Sequence, residues 1–227
     1  MAGPSSTVPP PPVPPEANGT ASRSGRTVDR VVQFSDGVFT VALTLLVVDL
    51  AVPALAPSAT ETDLQHALQD QLPNILAFLL TFWVVALRWL THHRHFRLIH
   101  RYDSRLLELN LLFLMTIVFI PWPTAVLGHY GNYITAWVLY AASMAASGLT
   151  ATALWVYGSG DRGLADGVTP ELRRYYTARS AIQPVIFILS IPVAFVSLML
   201  AEFCFVPMII GLSVLNRTLG RGVGLEL

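Results

Sequence analysis

Six apolar stretches separated by short polar connections constrain this 227-residue chain more than any other feature. A helix needs about 20 apolar residues to cross the hydrocarbon core of a bilayer, which is about 30 Å thick. The stretches run over Val31–Val52, Pro73–Thr91, Leu106–Leu127, Tyr130–Tyr157 and Ala178–Leu200, with a shorter one over Phe203–Leu215. The last two are separated by Ala201-Glu202 and read as distinct spans, because one continuous helix would overrun the membrane. Charged residues make up only 12% of the chain, against about 25% in soluble domains. The expected fold is therefore an all-α integral membrane protein with six transmembrane helices per chain. Pro184 and Pro192 are expected to kink the fifth helix.

The arginines orient the spans. There is no lysine, and positive residues collect in cytoplasmic connections. Arg23, Arg26 and Arg30 precede the first span; Arg94, Arg97, Arg101 and Arg105 surround the second connection, with Arg88 near the end of the second span. Arg162, Arg173, Arg174 and Arg179 surround the fourth, and Arg217 and Arg221 follow the sixth. The other connections carry none, and the first holds Glu61, Asp63 and Asp70 instead. All arginines thus fall on one side, which places both termini in the cytoplasm and requires an even number of spans. Residues 1–28, rich in proline, serine and glycine, read as a disordered cytoplasmic tail with no signal-peptide core. The six-helix membrane domain then covers residues 29–218, and 219–227 form a short C-terminal tail. A net charge of zero offers no case for nucleic-acid binding. Cys204, the single cysteine, reads as a small buried hydrophobe.

Within the first span, Gly37, Val41, Thr44 and Val48 recur at i, i+4, i+7 and i+11 and share one helix face. Small and β-branched residues there serve either a close helix–helix seam or the wall of a symmetric pore. Asp36 is either an N-terminal anchor suited to the helix dipole or a buried acceptor for another helix. His92, His93, His95 and His100 invite a metal hypothesis, but no cysteine is near and the interleaved arginines repel cations. A histidine partnering the first-span carboxylate fits better, and no metal or other cofactor is expected. No nucleophile–base arrangement points to an enzyme.

The segment Arg30-Val-Val-Gln-Phe34-Ser35-Asp36, followed by "GVFTVALTLLVVDLAVP", resembles the R-x-x-x-F-S-D signature of the transmembrane protein 175 family of endosomal and lysosomal potassium channels and their prokaryotic relatives. The similarity continues through "WLTHHRHFRLIHRYDSRLLELNLLFLMTIVFIPWPTAVLG". It implies a prokaryotic single-repeat member that assembles as a homotetramer in the cell membrane, with the first helix lining a central pore. The family constriction, formed by isoleucine or leucine, falls on Val41, and Thr44 and Val48 take the next pore-facing positions. The motif residues Arg30, Phe34, Ser35 and Asp36 are implied to brace the first helix, with Trp89 and either His92 or His93 as partners. The expected function is passive conduction of potassium through a hydrophobic gate. A proton or other small-ion leak channel or transporter, and a non-conducting membrane scaffold, are the alternatives.

Overall fold

The computed structural model describes residues 18–48, 50–101, 103–160, 164–165, 167–203, 206–207, 210–212 and 215. The helices are α1 (Asn18–Val48), α2 (Glu61–Asp70), α3 (Leu72–Leu98), α4 (Ser104–Phe119), α5 (Pro121–Tyr130), α6 (Ile134–Gly158), α7 (Pro170–Ala194) and α8 (Leu198–Glu202). Five segments among the described residues are long and apolar enough to cross a membrane: Asp29–Val48, α3, α4 with α5, α6 and α7. Of the expected sixth span, Phe203 lies in a turn and Val206, Pro207, residues 210–212 and Leu215 are helical; the rest, with Cys204, lies outside the described residues.

Helix boundaries depart from the apolar runs for identifiable reasons. α1 begins at Asn18, inside the stretch expected to be tail, because no proline lies between Pro15 and Pro53 and an established helix extends cheaply. α3 continues to Leu98, well past the apolar limit at Thr91, and stops where Ile99 turns extended. The third span is broken into α4 and α5 at Ile120, where Pro121 supplies no backbone donor. α7 begins at Pro170, eight residues before the expected span: Thr169 caps it by accepting from the Leu172 amide, and Pro170 occupies the first turn. The helix then runs through both Pro184 and Pro192. In the first connection Thr60 and Asp63 form a capping box that starts α2.

α6 and α7 form the most intimate pair. A Cβ at Gly148 would lie 2.6 Å from Cδ of Pro184, so only glycine permits this approach. α6 also packs on α4, and α3 on α5. α1 leans against α3 and α4 at the edge of this body. The core contains Phe39, Phe113, Trp137, Tyr140 and Phe187, all essentially inaccessible. The outside remains apolar as well, with Leu76, Trp83, Met115, Val118 and Leu189 exposed, as lipid contact requires. At the arginine-rich end the α3–α4 and α6–α7 connections are tied together. Ile99 pairs with Ala165, the amides of His100 and Arg101 donate to Leu164 O, and the Tyr157 hydroxyl donates to Asp103 Oδ2 at 2.6 Å.

Candidate functional site

Helix α1 has two faces. Ser35, Phe39, Ala42 and Leu46, spaced i, i+4, i+7 and i+11, are buried against the rest of the chain. Phe34, Gly37, Val41, Thr44 and Val48 form the opposite stripe and are exposed, Val41 at 54%.

The buried face is fixed by a polar node shared with α3 and α4. Trp89 Nε1 of α3 donates to Asp36 Oδ1 at 2.7 Å. His92 Nε2 lies 2.9 Å from Asn110 Oδ1 of α4, Asn110 Nδ2 donates to Ser35 Oγ at 3.1 Å, and the Ser35 hydroxyl donates to Val31 O at 2.8 Å. An amide oxygen only accepts, so this chain assigns the His92 proton to Nε2. Phe39, Phe96 and Phe113 surround the His92 ring at 5.7, 4.6 and 5.3 Å. The His92–Asn110 and Asn110–Ser35 links are buried, where an unmade hydrogen bond is expensive.

The motif residues therefore divide. Ser35 and Asp36 reach α4 and α3, whereas Arg30 and Phe34 are exposed on the single chain. Between the two histidines considered as partners, His92 enters the node, but through Asn110 and not by a bond to Asp36. The His93 ring lies 5.8 Å from that of Trp89, tilted by 31°. Asn110 was not singled out from sequence. Its signal was available: a lone amide in "LELNLLFLM", a polar group at membrane depth that must find a partner. No group of three or more metal-ligating side chains occurs among the described residues.

On the exposed stripe the hydroxyls turn inward to their own helix. Thr40 donates to Asp36 O at 2.8 Å and Thr44 to Val41 O at 2.9 Å. A threonine whose proton is committed to the backbone presents oxygen lone pairs outward, which suits a passing cation. A Cβ at Gly37 would meet no atom within 4 Å, so nothing in the chain packs on this stripe there.

Comparison with known proteins bears on the same segment. The family model for the endosomal/lysosomal potassium channel TMEM175 matches residues 30–121. A potassium channel of Streptomyces collinus is 41% identical over 132 residues, covering 56% of this chain and 62% of that protein. A potassium channel of Chamaesiphon minutus is 34% identical over 182 residues, 78% of this chain and 89% of that one. The crystal structure of a lysosomal potassium-selective channel TMEM175 homolog from Chamaesiphon minutus superposes with a TM-score of 0.72 at 31% identity, covering 84% of this chain and 99% of the other. With the signature segment, the node behind it and a relative matched over most of its length, the chain belongs to the TMEM175 family.

Proposed function

We propose that this chain forms a potassium-permeable channel of the cell membrane that conducts passively along a pore lined by the exposed stripe of α1. One observation carries the reading. α1 commits its interhelical hydrogen bonds to the face that bears Ser35 and Asp36, and leaves a continuous row of small and β-branched side chains open on the other. The named activity of the relatives and the apolar exterior support it.

In this proposal four chains surround a central axis, each crossing the membrane six times with both termini in the cytoplasm. Four Val41 side chains form the hydrophobic constriction, and an ion passing it must shed water or wait for the ring to wet. Thr44 offers hydroxyl oxygens one turn further along, and Val48 continues the wall. Arg30, Phe34, Ser35 and Asp36 hold the helix and carry no ions. Potassium is the permeant ion and not a cofactor. The sequence contains no T-V-G-Y-G loop of the kind whose carbonyls replace hydration water in other potassium channels.

Purified protein in a planar bilayer under a potassium gradient tests the proposal. The expected result is a current reversing near the potassium equilibrium potential. A current that reverses with the proton gradient favours the proton leak, and no current at all favours the scaffold.

A further inference from the structure

A second polar cluster extends from the node along α3, and His92 belongs to both. Arg88, His92 and His95 recur at i, i+4 and i+7 on α3, and Tyr176, Ser180 and Gln183 recur at the same spacing on α7. The Arg88 guanidinium donates to Gln183 Oε1, and the His95 ring meets Tyr176 edge-on at 5.5 Å. These two pairs are seven residues apart on each helix, which sets an antiparallel register and places Ser180 between them.

Apart from His92 Nδ1, an unpaired acceptor on the same α3 face, the cluster is rich in donors. Arg88 is 5% exposed, Ser180 2% and His95 1%. Arg88 Nε, Gln183 Nε2, Ser180 Oγ and His95 Nε2 are all buried without a hydrogen-bond partner. Guanidinium and amide N–H groups only donate, and a hydroxyl donates readily. Arginine keeps its charge in proteins, and a charge at membrane depth without a counter-charge costs several kcal/mol. Asp36 is engaged by Trp89, and no carboxylate among the described residues is hydrogen-bonded to Arg88. A water molecule would satisfy some of these donors but would leave the charge.

We propose that a small inorganic anion of the chloride class binds between α3 and α7, held by Arg88 Nε, Ser180 Oγ and Gln183 Nε2, with His95 Nε2 at the arginine-rich end of the cluster. Burial inside one chain excludes a lipid phosphate as the occupant. The anion neutralises Arg88 and bridges the two helices, so it is a structural ligand outside the α1 stripe. The inference holds whether or not the chain conducts.

The test is thermal unfolding of the purified full-length chain in detergent, with potassium fixed and gluconate replaced stepwise by chloride. The expected result is a melting temperature that rises with chloride and saturates, and that bromide reproduces. Ser180→Ala should raise the half-saturating chloride concentration about tenfold, and Arg88→Gln should abolish the dependence. If Arg88→Gln does not fold, the Ser180→Ala titration decides. A wild-type melting temperature indifferent to chloride overturns the proposal. So does a chloride response whose midpoint is the same in Ser180→Ala, or one that persists in Arg88→Gln, because either marks a general salt effect.

Discussion

The two faces of α1 are alike in hydropathy and opposite in what their polar atoms do. On the buried face Asp36 and Ser35 accept hydrogen bonds from Trp89 and Asn110, on two other helices. On the exposed face Thr40 and Thr44 return their protons to the backbone of α1 itself. In a bilayer apolarity does not distinguish inside from outside, because lipid is as apolar as leucine. The orientation of α1 is decided instead by a few interhelical hydrogen bonds that have no substitute in hydrocarbon. Along α3 the same logic separates two groups: Asp36 Oδ1 and Asn110 Oδ1 of the node are matched to donors, whereas Arg88 Nε is a charged donor left unpaired.

The sharpest way to break this contrast is to cut the node. Asn110→Leu leaves the His92 donor without its acceptor, at a cost of about 1–3 kcal/mol. That should lower the melting temperature of the purified protein by about 5 °C. Thr44→Val, which removes a hydroxyl from the exposed face, should leave melting nearly unchanged. Equal effects of the two would mean that the node does not hold the helix.

A pair of glycines makes a second comparison. At Gly148 an added methyl collides with the Pro184 ring, so Gly148→Ala should destabilise by about 1–3 kcal/mol through overpacking at the α6–α7 contact. At Gly37 the same methyl meets nothing within 4 Å, and removing a helical glycine is mildly favourable. Gly37→Ala should therefore melt no lower than the wild type, as a thermal scan of both variants would show. A marked loss at Gly37 would mean that its face is packed.

The smallest effect lies off both faces, at the α2 cap. The Thr60 backbone amide and hydroxyl, each 2.7 Å from Asp63 Oδ2, hold the Asp63 carboxyl below its ordinary value. A carboxyl depressed by folding adds stability above its unfolded pKa and loses it as pH falls through the lowered folded value. At neutral pH, Asp63→Asn should speed amide exchange in the first turn of α2. In acid, where the native carboxyl is protonated, variant and wild type should converge. Both faces of α1 should be unaffected throughout.

Much of this was legible in the sequence, and the misses have physical causes. Apolar run length exposed the five described spans, because the bilayer imposes one length on all of them. The signature at Arg30–Asp36 was enough to place the family, because it joins an arginine and an aspartate to the mouth of an apolar helix. Hydropathy did not reveal where α3 or α1 ends, since a helix continues into polar residues until proline or an extended residue stops it. Arg88 reads from sequence only as a charge near the end of the second span, and its burial against α7 is not visible there. Burial of a charge depends on which partner helix faces it, and no local pattern encodes that. Asn110 was missed because a single amide among leucines carries no period.

Cysteine accessibility along α1 during conduction tests the pore proposal most directly. In a Cys204→Ala background, Val41→Cys and Thr44→Cys sample the exposed stripe, and Ala42→Cys samples the buried face. A small cationic thiol reagent applied during potassium current should block the first two variants and leave Ala42→Cys conducting. Current that survives modification at both Val41 and Thr44, or that is blocked equally at Ala42, would contradict a pore lined by the exposed face of α1.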